Sequence, residues 1–81
     1  MDNFIEMARS HRKKYLPKLY RRLKEEGRLE EHLASVAEMA EEEVLALTSE
    51  QGMNLYEAME IVLPKYILIS PEVTKNEGLE G

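Results

Sequence analysis

Apolar residues recur along this chain at helical spacing, and only a few glycines and prolines interrupt the stripes they form. Leu16, Leu19, Tyr20 and Leu23 fall at i, i+3, i+4 and i+7 and so share one face. Pro17 stands where a first-turn proline is tolerated, because that N–H would have no intrahelical partner. Gly27, just after "KEE", can take the left-handed conformation that closes a helix. Together these features predict a helix over Pro17–Glu26. Leu29, Leu33, Val36, Ala40, Val44 and Leu47 make a longer stripe, flanked by Ala37 and Met39, with most of the glutamates lying off it. That pattern predicts a second helix over Leu29–Thr48, closed near Gly52. Asn54 with Glu57 three residues on is a capping-box arrangement, and Leu55, Ala58, Met59 and Val62 continue as a buried face. The third helix is therefore expected over Asn54–Leu63, ended or kinked by Pro64, which has no N–H to donate.

The two ends are less periodic. Phe4, Ile5, Met7 and Ala8 predict a short helix after Asp2. In "KYILIS" the apolar run is too short and uniform to choose between a last helical turn and an extended segment packed over the bundle. "PEVTKNEGLEG" has almost no apolar residues and reads as a disordered tail over residues 71–81. The fold expected is all-α, a small helical bundle built on an antiparallel helix hairpin hinged at Gly27, with residues 1–70 as its single domain.

Length changes this picture in one respect. A chain of 81 residues is close to the size at which one core suffices only marginally. Association is a common remedy, and "KYILI" offers apolar surface, so a homodimer or tight complex is expected. The absence of cysteine excludes disulfides, zinc–thiolate sites and thiol catalysis. No apolar run approaches the ~20 residues of a membrane span, and "MDNFIEMARS" lacks the basic and apolar regions of a signal peptide. A cytoplasmic protein with no membrane partner is expected. The formal charge of −5 argues against a general nucleic-acid binder, but the average conceals the layout. Eight of the eleven basic residues lie between Arg9 and Lys24, whereas Leu29 to Leu63 contains nine glutamates and no Lys or Arg.

The pattern L-Y-x-x-L-x-x-x-G-x-L-x-E-H-L-A, carried by Leu19, Tyr20, Leu23, Gly27, Leu29, Glu31, His32, Leu33 and Ala34, resembles the core motif of the TnpV-like family. These are small proteins encoded in transposons and other mobile elements. The match is best over Arg12 to Glu43, and the chain lacks the extended N-terminal region and much of the middle helical segment of longer members. The resemblance implies a mobile-element or prophage origin and brings no catalytic residues with it.

Candidate chemistry is sparse. His32 borders the apolar stripe, but Ser35 and Val36 occupy the positions where a second metal ligand would stand, and Arg28 and Leu29 the positions behind it. Without an orienting carboxylate it lacks what a general base needs. The reading preferred for it is structural, with one ring nitrogen hydrogen-bonded near the Gly27 turn. Glu41, Glu42 and Glu43 point about 100° apart on a helix and do not converge on one ion. Ser10, Ser35, Ser49 and Ser70 lack a nucleophile or phosphate-loop context. No enzyme, cofactor or metal is expected. Two functional classes stay open: a non-catalytic protein-interaction or accessory protein of a mobile element, and an inhibitor of a nucleic-acid-guided defence nuclease whose acidic helix imitates a phosphate backbone. A third, weaker option is phosphate binding by the basic segment, with Tyr15 and Tyr20 placed to stack on bases. The candidate partner-binding residues are Glu38, Glu41 and Glu42 on the acidic side, and Lys14, Lys18 and Arg21 on the basic side. The preferred explanation of the charge layout is mutual neutralisation, with Lys18 and Arg22 pairing with glutamates of the next helix.

Overall fold

A computed structural model of the chain describes residues 2–72. It contains four helices, α1 (Asp2–Tyr15), α2 (Pro17–Glu25), α3 (Leu29–Glu50) and α4 (Leu55–Tyr66), and no strand among the described residues. The fold is all-α, as the apolar spacing predicts. Helix α3 is the organiser: it packs most extensively against α4, next against α1, and least against α2. The pair joined at Gly27 is thus the smallest of the helix–helix contacts, and the larger share of the core lies on the other sides of α3.

The α3 stripe meets its expectation. Leu29, Leu33, Val36, Ala37, Ala40 and Val44 are buried, while Leu47 is half-buried and Met39 is exposed. Ala37 and Ala40 of α3, Ala58 and Val62 of α4 and Ile67 beyond it all belong to the one buried core cluster. At the end of α2, Gly27 has φ +72°. The Arg28 N–H donates to Leu23 O (2.8 Å) and the Gly27 N–H to Lys24 O (3.1 Å), a left-handed closure that satisfies two of the last carbonyls. Gly52 plays the same part after α3 at φ +69°. Asn54 caps α4, its Oδ1 accepting from the Glu57 N–H at 2.9 Å.

Leu55, expected on the buried face of the third helix, is 44% exposed, and three features of the chain path also differ from the sequence expectation. Helix α1 is not short: it runs for 14 residues and carries Phe4, Ala8 and Arg12 into the interior. It stops because Pro17 drives the residue before it out of the helical region, and Leu16 takes φ −134° and ψ 55°. Helix α4 continues through Pro64 to Tyr66. The missing N–H falls near the helix end, and tertiary anchors hold the last turn: the Lys65 ammonium and the Tyr66 hydroxyl (2.8 Å) both donate to the Glu43 carboxylate on α3. The third difference concerns "KYILIS". Ile67 is fully buried, and the non-helical residues that follow α4 run back over the junction of α1 and α2.

The expected tail over 71–81 lies outside the described residues from residue 73 onward. Glu72, within them, is tied down. Its N–H donates to Tyr15 O (3.0 Å), and its carboxylate accepts from the Leu19 N–H at 3.0 Å and the Lys18 N–H at 3.4 Å. Helix α2 has no side-chain cap of its own, since Leu16 stands at its N-cap. Glu72 supplies the missing cap from 53 residues downstream. Glu72→Ala is expected to lower stability by about 0.5–1.5 kcal/mol, as for a lost N-cap. Urea denaturation measures the loss, and faster amide exchange at Lys18 and Leu19 locates it.

Candidate interaction surface

Arg12 is the largest fully buried side chain, at 1% exposure. No carboxylate of the described residues meets it. Its two terminal nitrogens donate to Ile67 O and Tyr66 O, both at 2.8 Å, and its Nε donates to His32 Nε2 at 2.9 Å. The guanidinium therefore caps the C-terminal end of α4, where the helix dipole favours a cation and the last carbonyls lack intrahelical donors. Desolvation pushes its pKa down, but an arginine with these acceptors keeps its charge. By sequence Arg12 belongs to the basic segment from Arg9 to Lys24. The signal that would have placed it inside is the spacing of Phe4, Ala8, Arg12 and Leu16, four apart and all buried once α1 is extended.

His32 is held as the structural reading requires, with one nitrogen bonded, but the partner is Arg12 and not the Gly27 turn. Accepting at Nε2 leaves the ring proton on Nδ1. Burial, and then the positive charges of Arg12 and Arg28, hold its pKa below the ordinary value of 6.5. The unfolded chain thus binds this proton more readily than the folded one. The contribution is fully present above about pH 6.5 and is lost as pH falls from there towards the depressed folded value. Denaturation midpoints are expected to decline from pH 7 to pH 5, and His32→Gln, which keeps an acceptor without the titration, is expected to flatten that decline.

The glutamate run diverges, as helical geometry demands. Glu43 turns inward to Lys65 and Tyr66, which with the pairing hold its carboxyl below the usual range. Glu42 is exposed and Glu41 half-exposed. Glu31, Ser35, Glu38, Glu42 and Leu45 share the outward face of α3, with Leu45 60% exposed. Glu31, Glu38 and Glu42 form no ion pair among the described residues. On the basic side, Lys14 lies in the last turn of α1 and Lys18 and Arg21 lie on α2, all three exposed.

Neutralisation between α2 and α3 is not how the charges are arranged. The interhelical ion pairs of the described residues are Lys65 to Glu43 and a fork from Arg9 to Glu30 (2.6 and 3.0 Å), so their cations come from α4 and α1. Arg9 also reaches Glu6 at 3.3 Å. Glu30 accordingly has its pKa lowered and Arg9 raised, each through the hydrogen bonds of that pair first. Two faces of opposite sign are left open, one on α1–α2 and one on α3. No group of three or more potential metal-ligating side chains occurs among the described residues, and none of the described helices is long and apolar enough to cross a membrane. No family model, curated protein or solved structure matches the chain.

Proposed function

We propose that this chain is a non-catalytic interaction module, a cytoplasmic accessory protein of a mobile element or prophage that docks on a protein partner or on a second copy of itself. The observation that carries the reading is the outer face of α3. Glu38 and Glu42 stand at i and i+4, an arrangement that costs a few tenths of a kcal/mol in like-charge repulsion, and no described cation relieves it. Leu45 continues the same face, exposed one turn further on. An apolar side chain rimmed by carboxylates has no role in the fold and suits a partner's surface. The histidine that would serve as a base accepts a hydrogen bond from a buried guanidinium, which favours a structural role for it. The mobile-element setting rests on the Leu19–Ala34 resemblance.

The same stripe supports a second reading, an inhibitor of a nucleic-acid-guided nuclease that uses the carboxylates in place of phosphates. Capture from the native host with Glu38→Lys/Glu42→Lys beside the parent chain tests both. Loss of a protein partner at unchanged helicity and melting temperature is expected, and a lost nuclease would select the second reading. Identical captures would refute both.

A further inference from the structure

The basic residues divide into two groups. Of those described, Arg9, Arg28 and Lys65 are in ion pairs, and Arg12 is buried against carbonyls. The other six, Lys13, Lys14, Lys18, Arg21, Arg22 and Lys24, are exposed, and none forms an ion pair with a described residue. They fall within twelve consecutive residues that contain no carboxylate. Glu25 and Glu26 follow the strip directly, and the carboxylate of Glu72 lies at it, engaged by backbone N–H groups of α2. In an acidic protein, six exposed cations outside ion pairs within twelve residues are unexplained by the fold.

We propose that the exposed side of the α1–α2 junction binds the phosphate backbone of a nucleic-acid duplex without reading its sequence. This goes beyond the docking role of α3 and does not depend on it. An acidic protein is the competing partner, and the surface argues against it. Protein interfaces have an apolar centre and are poor in lysine, whereas the one exposed large apolar side chain in the strip is Tyr15, at 42%. Its ring is engaged by His11 at 4.9 Å and lies under the Lys14 ammonium at 5.2 Å. Tyr20 packs against the core. Tyr15 is thus engaged by its own neighbours and Tyr20 is half-buried, so stacking on single strands, which the sequence alone allows, gives way to backbone contact. The acidic α3 face does not cancel the strip: among the described residues Glu31, Glu38 and Glu42 form no ion pair with its cations, and exposed charges beyond about 8 Å are screened at physiological salt.

The test is fluorescence anisotropy of the full chain with a labelled duplex of arbitrary sequence, across about 50–200 mM salt. With six phosphates contacted, log K is expected to fall against log salt with a slope of about −5; Lys14→Gln/Lys18→Gln/Arg21→Gln is expected to reduce it to about −3. The three side chains are exposed and form no ion pair with a described residue, so the melting temperature should hardly move. Absence of duplex binding at the lowest salt would overturn the proposal, as would a slope unchanged in the triple variant. Tighter binding to polyglutamate than to the duplex would assign the strip to an acidic protein and would also overturn it. Glu38→Lys/Glu42→Lys is expected to bind the duplex at least as well as the parent chain, so failure of the α3 reading leaves this result separate.

Discussion

Arg12→Met is expected to lower the free energy of unfolding by about 2–4 kcal/mol, one of the largest losses any single substitution in this chain should produce. Methionine fills much of the space, so the loss is not mainly a cavity. It arises because Tyr66 O, Ile67 O and His32 Nε2 remain buried or half-buried with their donor removed. Each stranded acceptor costs about 1–3 kcal/mol; removal of the desolvated guanidinium returns part of that. Arg12→Lys keeps a cation at the end of α4 but cannot present three donors in a fixed fork, and should fall between the two. In a domain of this size about 4–8 °C in melting temperature accompanies each kcal/mol, so thermal denaturation by circular dichroism resolves the order. Equal stability of the parent chain and Arg12→Met would mean that the guanidinium does not hold α4 in place.

Phe4→Ala should cost about 3–5 kcal/mol, the range for removing a buried aromatic ring. Phe4 is the only phenylalanine, is 1% exposed, and is the apolar anchor of α1 in the central cluster. Against a typical total of about 5–15 kcal/mol that loss leaves little margin, so a partly unfolded population at 37 °C is expected. Tyr56→Ala is the control, because Tyr56 is 80% exposed and its truncation should change stability by less than about 0.5 kcal/mol. Comparable losses in urea for the two variants would place the core elsewhere.

These two residues also mark where the sequence was readable. Helices α2, α3 and α4 declare themselves, since each has an apolar stripe, and the ends at Pro17, Gly27, Gly52 and Asn54 follow from local backbone chemistry. Phe4 was visible as apolar, but α1 was expected short because the run from Arg9 to Lys14 looks like a solvated surface. An arginine that is buried reads the same as one that is exposed until its acceptors are known, and those are carbonyls 54 and 55 residues away. Glu72 escaped for the same reason: a carboxylate in a polar segment gives no local sign that it caps a distant helix. Pro64 was read by its local cost alone, while contacts from Glu43 decide that α4 continues. Of the candidate surface, the exposure of Glu38, Glu42, Lys18 and Arg21 was legible from helical phase, whereas Lys14 stood outside every helix the sequence predicts. Their lack of mutual pairing was not legible, because it depends on which helix α3 chooses as its neighbours.

The return of residues 66–72 over the α1–α2 junction has a consequence for the order of assembly. Helices α3 and α4 are adjacent in the chain and share the most extensive contact, so they can form early with little loop closure. Helix α1 and the start of α2 are fastened by residues 66–72: His11 to Ile69 O at 2.7 Å, Arg12 to Tyr66 O and Ile67 O, and Glu72 to Tyr15 O and the first turn of α2. During synthesis α1 therefore emerges before the residues that lock it and is among the last of the four described helices to be fastened. Until Glu72 has emerged, α2 lacks its cap and the lysines of the junction hang on an unfastened hinge.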